Sequence, residues 1–335
     1  MMEAGAIAAY TNEVRAQIFE TLGKREADLT DLNGFESFVY LDNTAGQILR
    51  ITHHSHRSPA MLEAELQLLE LLSAAGAGVS RGLPVCGEPL LTVGDFTVCC
   101  FEPAQGQLIT QADWHPALFS AWGQAIGRMH RIVAAQPASR MPARYSWRED
   151  QNTCCLDWLP ADQPLVRARA ASLLAKLDTL PAEAGDFGLI HCDAHAGNFH
   201  VRKPVAEIGA LNAEDYALTF FDFDDACYHW FAFDIATIFF SAVRQAWIAD
   251  TDAAQREVAE EFVPAFLSGY RQLFPLSDFT VRQLPLFLQL REISLYAVLN
   301  FHEDHGGGDF GARFMAGRRA RIEAGIPVLD LSGLL

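Results

Sequence analysis

Leu189-Ile-His-Cys-Asp-Ala-His-Ala-Gly-Asn-Phe-His-Val201 places a polar centre between two apolar flanks, the pattern of a tight loop joining two short strands. Within it, His191, Asp193 and Asn198 follow an H-x-D-x-x-x-x-N spacing. That spacing has a mechanical use. A carboxylate at Asp193 can accept the proton of an incoming hydroxyl, while an amide at Asn198 turns back to hold a metal on nucleotide phosphates. Asp and Asn are common capping residues in loops, so neither residue alone carries this reading; the whole string does.

A second acidic signal follows in Leu218-Thr-Phe-Phe-Asp-Phe-Asp-Asp225. A strand that delivers a carboxylate at its end suits Mg²⁺, which prefers oxygen ligands and takes few of them from protein. Asp222 is the expected metal ligand, after a hairpin around Lys203 to Tyr216. Asp224 could help the metal or a cationic substrate, as could Asp225; solvated or capping roles stay open for both.

The rest of the chain frames these motifs. At 335 residues it suits two lobes better than one small core, and half of it is hydrophobic with a fifth charged. The formal net charge of −17 argues against a nucleic-acid partner, because a phosphate backbone needs a Lys/Arg surface. It would favour a cationic small molecule, although acidity also serves solubility. The N-terminus lacks the basic and apolar regions of a signal peptide, and Phe231–Trp247 is too short and too charged to span a bilayer. Seven cysteines with no C-x-x-C pair suggest reduced thiols and a cytoplasmic location, with no membrane partner; oligomeric state is not readable.

Periodicity predicts helices over 7–23, 59–74, 115–134, 163–179, 231–247, 254–273, 278–301 and 309–325, the last after a Gly306–Gly308 breaker. Leu32–Tyr40 and Gln47–Ile51 form a hairpin around Asp42–Gly46, and further strands are expected at Gly82–Cys86, Pro89–Val93 and Phe96–Phe101. Glu102–Gly106 breaks the pattern. The expected division is an N-terminal lobe over 1–101, a hinge over 102–106 and a helical lobe over 107–335.

Together His191–Asn198, Phe221–Asp225 and Phe233-Asp-Ile-Ala236 resemble the motifs of the aminoglycoside phosphotransferase, choline kinase and homoserine kinase type II superfamily, including bacterial stress-response kinases. The resemblance covers roughly residues 30 to 300. It implies an α+β, two-lobed protein-kinase-like fold: a small antiparallel-sheet lobe with one main helix, and a larger, mostly helical lobe. It also implies an enzyme that uses ATP and Mg²⁺ to phosphorylate a small-molecule hydroxyl, with Asp193 as base, His191 beside it, Asn198 and Asp222 on metal, and Asp234 bracing the loop. A carboxylate at Asp234 in an apolar helix fits that last role independently, since an unpaired buried acid is costly.

The likeness extends to the N-terminal lobe. Asn33 and Gly34 lie in a segment similar to the family's phosphate-covering loop, whose backbone N–H groups can cradle phosphate oxygens. Phe101, Glu102 and Ala104 resemble the stretch whose main chain bonds adenine. The chain departs from the pattern at two places. Cys192 stands where the family has glycine, and Arg50 stands where kinases carry the strand lysine. Arginine offers charge with a planar fork, and Glu65 is the expected acid beside it, with Glu63 and Glu70 as competitors.

His195 and Arg291 are candidate substrate or second-metal contacts, with Arg291–Glu292 as an ion pair the alternative. The aromatic residues Trp114, Trp147, Trp158, Tyr228, His229, Trp230 and Trp247 could hold an ammonium group or belong to the core. Three other functions stay open on sequence: a protein kinase, an inactive nucleotide-binding pseudokinase, and a hydrolase with His191, Asp193, His195 and Asp222 around a metal.

Overall fold

In the computed structural model, which describes residues 4–203, 212–301 and 308–335, the turn chemistry of Asp42–Gly46 acts as its residue types dictate. Asp42 Oδ1 accepts the Thr44 and Ala45 amides at 2.9 and 3.1 Å and the Thr44 hydroxyl at 2.6 Å. Gly46 takes the left-handed φ of 65° that closes the turn. The strands are β1 (Leu29–Asp31), β2 (Phe38–Asp42), β3 (Gln47–His53), β4 (Gly82–Leu83), β5 (Leu91–Val93) and β6 (Phe96–Phe101). They make one antiparallel sheet in the order β1-β2-β3-β6-β4, with β5 also on β6. Its register sets Arg50 of β3 opposite Val39 and Cys99.

This sheet belongs to a first compact unit, residues 1–105 with 142–144. Helices α1 (Ala4–Ala9), α2 (Asn12–Thr21) and α3 (Pro59–Ala74) complete it. Its core joins Ile18 and Phe19 of α2 to Tyr40, Leu49, Ile51, Phe96 and Val98 of the sheet. The single helix predicted over 7–23 is two, because Thr11 is extended and its hydroxyl accepts the Val14 N–H as an N-cap. The strands predicted at 82–86 and 89–93 are shorter. Cys86 and Gly87 both take positive φ, 51° and 88°, in a turn that Val85 and Glu88 close by exchanging backbone hydrogen bonds.

The second unit holds 106–141 and 145–335. It contains α4 (Pro116–Ala134), α5 (Pro164–Leu177), α6 (Phe231–Ala242), α7 (Asp252–Leu273), α8 (Asp278–Phe301), α9 (Gly308–Met315) and α10 (Arg318–Ala324). Four short strands accompany them: β7 (Phe187–Ile190), β8 (Phe199–Arg202), β9 (Ala217–Phe220) and β10 (Cys227–Trp230). β7 pairs with β10 and β8 with β9, both antiparallel. Gly106 lies so close to β8 that a Cβ there would sit 2.2 Å from the Val201 carbonyl oxygen, and Gln107 bonds Val201 in both directions.

Two helices differ from their predicted spans. α6 stops at Ala242, where a tighter turn brings the Arg244 N–H to the Ser241 carbonyl. The helix predicted over 309–325 is broken by Gly317 at φ 66°. The predicted Gly306–Gly307 breaker and the His302–His305 segment lie outside the described residues. No helix among the described residues is long and apolar enough to cross a membrane.

α4 and α7 cross at glycines. A Cβ on Gly123 would meet the Phe266 carbonyl oxygen at 2.0 Å, and one on Gly269 would meet that of Ser120 at 2.0 Å. Neither backbone can yield without moving its helix. Gly123→Ala is therefore expected to destabilise the protein by about 2–3 kcal/mol, against a small gain from helix propensity; urea unfolding monitored by circular dichroism measures it.

Candidate active site

The loop from His191 to Asn198 hangs on one carboxylate. Asp234, on α6, is 1% exposed. Its Oδ1 accepts the Cys192 N–H at 2.8 Å, and its Oδ2 accepts the His191 N–H at 3.2 Å. The His130 Nε2 of α4 lies 3.1 Å from Oδ2, and His130 Nδ1 is 2.8 Å from the Tyr270 hydroxyl. A carboxylate oxygen only accepts, so the His130 ring proton sits on Nε2, facing Asp234, and Nδ1 accepts from the Tyr270 hydroxyl, whose pKa burial pushes well above the ordinary value. Cys192 has φ 66°. That left-handed turn aims two consecutive amides at the same carboxylate.

His191 is 2% exposed, and its Nε2 donates to the Phe221 carbonyl at 3.1 Å. Burial holds its imidazole below the usual pKa, which keeps it neutral. The Phe221 N–H in turn donates to the Asn198 carbonyl at 3.0 Å. The histidine thus ties the loop to the segment that carries Asp222, and it makes no hydrogen bond to Asp193. The Ala196 N–H reaches the Ser241 hydroxyl at 3.1 Å, fixing the far side of the loop to the end of α6.

Asp193 is partly exposed, with three side chains around it. Asn198 Nδ2 donates to its backbone carbonyl at 2.9 Å and to Oδ2 at 3.2 Å. His195 Nε2 lies 3.3 Å from the same Oδ2. The Gly197 N–H donates to His195 Nδ1 at 2.9 Å, so Nδ1 must offer a lone pair and the ring proton sits on Nε2, toward Asp193. Arg291 of α8 donates from Nη2 to Oδ1 at 2.7 Å. Burial pushes the Asp193 carboxyl up, but His195 and the Arg291 guanidinium outweigh it and hold the group well below the usual carboxylate range. It is ionised throughout the neutral range.

The metal expected here fits the donors present. With Nδ2 of Asn198 turned to Asp193, its Oδ1 has no hydrogen-bond partner among the described residues. Asp222 is exposed, at φ 65°, one residue beyond Phe221. An amide oxygen and a carboxylate suit a hard divalent cation. Asp224 is buried at 5% exposure, and Asp225 accepts from Asn152 at 3.2 Å. The alternative of a hydrolase metal cluster has no support among the described residues, because the ligand atoms of His191, Asp193, His195 and Asp222 do not gather around one point.

In the first unit, Arg50 and Glu65 are 7% and 1% exposed and form a two-point ion pair, Nη1–Oε1 at 3.0 Å and Nη2–Oε2 at 2.5 Å. Glu63 and Glu70 are exposed, which leaves Glu65 as the acid beside Arg50. The guanidinium also stacks over Phe101, 4.9 Å from its centroid. Asn33, at φ 54°, donates its N–H to Asp31 Oδ1 at 2.7 Å. Gly34 is required by space: a Cβ there would lie 2.3 Å from the Ser37 carbonyl oxygen. The Glu102 N–H donates to the Arg81 carbonyl at 2.9 Å, its carbonyl accepts the Ser80 hydroxyl, and its side chain pairs with Arg81. Ala104 follows two residues on in the same unit.

Arg291 and Glu292 do not pair with each other. Glu292 is 3% exposed and holds Arg318 at 2.8 Å. Trp147, His229 and Trp230 are buried core, and Trp114 stacks on Phe262. Trp158, half-buried, stacks on the exposed Phe301. Sequence reading missed His130, Tyr270 and Ser241. A lone histidine within the apolar run of α4 was the available signal for the first.

Antiparallel sheet followed by helices, with an aspartate-bearing loop braced from below, defines the class as a phosphotransferase of kinase-like architecture. The model of the phosphotransferase enzyme family matches residues 28–275, and the chain belongs to that family. It is 30% identical to amicoumacin kinase of Bacillus subtilis (strain 168) over 339 residues, 97% of this chain and 96% of that protein. Among solved structures it is similar to amicoumacin kinase hAmiN in complex with AMP-PNP, Ca²⁺ and Ami, with TM-score 0.83, 29% identity, and 98% and 99% of the two chains covered. A microcompartment-associated aminopropanol kinase shares the fold, with TM-score 0.68, 22% identity and 93% and 97% coverage. The expected pairing of ATP with a divalent metal accords with the nucleotide and cation in the hAmiN complex.

Two outcomes follow from the loop's bracing. Asp234→Ala strands two buried amides and His130, and should cost about 3–5 kcal/mol of stability by denaturant unfolding. Burial, then the Cys227 sulfur 3.2 Å away, push the Cys192 thiol well above its ordinary pKa. Iodoacetamide at pH 8, read by peptide mass spectrometry, should therefore label exposed Cys86 and leave Cys192 unmodified until the protein is unfolded.

Proposed function

We propose that this chain transfers the γ-phosphoryl group of ATP to a hydroxyl of a small, amine-bearing molecule. The observation that carries this reading is the state of Asp193: an ionised carboxylate whose position is set by Asn198, His195 and Arg291. Asp193 accepts a hydrogen bond from the acceptor hydroxyl and aims its oxygen at the γ-phosphorus. A carboxylate held this far below the usual range does not strip the proton beforehand. The proton passes to Asp193 as the new O–P bond forms and the oxygen becomes acidic, while the bond to the β–γ bridging oxygen breaks and ADP leaves.

Asn198 Oδ1 and the Asp222 carboxylate would hold Mg²⁺, which when bound neutralises phosphate charge. Arg50, locked by Glu65, serves the phosphates in place of the usual lysine; its fork, already bound at two points, brings charge with little freedom to move. Asn33 and Gly34 form the phosphate-covering turn, with the Gly34 N–H facing phosphate while the Asn33 N–H is held by Asp31, and Phe101, Glu102 and Ala104 form the adenine-facing stretch. His191 and Asp234 position the loop. Amicoumacin, and the aminopropanol named for a second similar structure, an amine-bearing alcohol by its name, are the first acceptors to test. The acidic charge of −17 favours such cations.

Asp193→Ala should lower turnover at least about 10³-fold with amicoumacin or an amino-alcohol panel while AMP-PNP affinity changes less than about threefold. Arg50→Ala should instead weaken AMP-PNP binding, by about tenfold or more. Coupled ADP release and calorimetry read the two effects. Tight nucleotide binding with no acceptor consumed would instead favour a regulatory pseudokinase.

A further inference from the structure

Asp193 is approached unequally at its two oxygens. Oδ2 takes the Asn198 Nδ2 hydrogen bond at 3.2 Å and has the His195 Nε2 in close contact at 3.3 Å. Oδ1 takes one, Arg291 Nη2 at 2.7 Å. A carboxylate oxygen accepts in two lone-pair directions, so Oδ1 has room for one more donor, while Oδ2 is hemmed in by the Asn198 and His195 side chains. The acceptor hydroxyl therefore belongs on Oδ1, beside Arg291. Two donors sharing one oxygen at hydrogen-bond distance lie within about 4–5 Å of each other. A phosphorus poised about 3–3.5 Å from the attacking oxygen is then within reach of the same guanidinium.

Arg291 has donors to spare. It uses one N–H on Asp193, and neither Nε nor Nη1 has a hydrogen-bond partner among the described residues. Nε is fully buried, away from water that could satisfy it. A guanidinium cannot shed its charge, so a permanent cation with unused, planar donors stands at the oxygen where the new bond forms. Arg291 is only 17% exposed, which lowers the screening of that charge. Its backbone is fixed on α8, one residue before Glu292, whose buried pair with Arg318 at 2.8 Å anchors the helix.

Resting on the kinase reading above, we propose that Arg291 is a catalytic residue: the Nη1 N–H groups and the second N–H of Nη2 bind the oxygens of the phosphoryl group as it passes to the acceptor. The donors gain most when charge spreads onto those oxygens, so the interaction belongs to the transition state more than to bound ATP. The product is a phosphate monoester on the acceptor oxygen. Its dianion then lies against Arg291, which drops its bond to the newly protonated Asp193.

The test compares the full-length wild type with Arg291→Gln and Arg291→Lys, using amicoumacin and 1-amino-2-propanol as acceptors. Melting temperature serves as the folding control. Arg291→Gln should lower kcat about 100-fold or more with KM for ATP and for the acceptor within about threefold. Arg291→Lys should recover part of kcat, because a point charge replaces the fork. Calorimetry adds a readout that positioning alone does not move in this way. Affinity for Mg·ADP with fluoroaluminate, which mimics the phosphoryl group in flight, should fall in Arg291→Gln by a factor similar to kcat. AMP-PNP affinity should not change. The inference is overturned if kcat stays within about threefold, if only acceptor KM rises, or if the two nucleotide probes weaken equally. A rise in acceptor KM alone would make Arg291 an acceptor contact. If the wild type binds AMP-PNP but turns over neither acceptor, the fluoroaluminate comparison still decides the role of Arg291. A wild type that binds no AMP-PNP overturns the kinase reading and this inference with it.

Discussion

A carboxylate buried in an apolar helix must be met by donors, and Asp234 is met by three: two consecutive backbone amides and one imidazole. The requirement is severe because the surrounding α6 residues, Phe231 to Phe240, are buried and apolar apart from Thr237, whose hydroxyl does not bond Asp234. The end of β7 must therefore arrive with its amides pointing inward, and α4 must bring His130 to the opposite side. Tyr270 of α7 completes the set from behind. Four elements of the second unit are thus indexed to one charge. From there the order passes outward through His191 to the Phe221 carbonyl, and through Phe221 to the Asn198 carbonyl.

The same arrangement explains a contrast in the charge distribution. The chain carries an excess of acids, 42 against 25 Lys and Arg, yet Asp193, the carboxylate proposed as the base, is surrounded by donors. A base at Asp193 would need to remain ionised and in place, and the Arg291 guanidinium with the polar side chains of Asn198 and His195 serves both ends. Bulk acidity acts at long range, on what approaches the surface. The arginine and histidine act within hydrogen-bond distance, where screening by salt matters less.

Much of this was legible in the sequence where the signal was local. The spacing from His191 to Asn198 and the apolar residues on either side were enough to place a loop between strands, since loop and flanks lie within thirteen consecutive residues. The Arg50–Glu65 pair was readable because a strand and the next helix are close in sequence, and the helical period puts Glu65, not Glu63 or Glu70, on the buried face. Helix ends were missed where a capping signal was read past, at Thr11 and at Gly317. What sequence could not supply was pairing between distant segments. Arg291 could be suspected of contacting substrate, but nothing near it in the chain points to Asp193, and Glu292 beside it turns to Arg318 instead. His130 and Ser241 were invisible for the same reason: each acts on a loop far away along the chain.

The way Asp234 grips the loop also bears on how such a sequence drifts over generations. It holds main-chain amides, and every residue except proline presents one, so selection on that grip scarcely registers which side chain stands at position 192. What selection does see there is the left-handed turn, tolerable for glycine and, at a modest cost, for a small side chain with buried room around it. Cysteine in that place is the mark of a constraint written in backbone geometry and left open in chemistry.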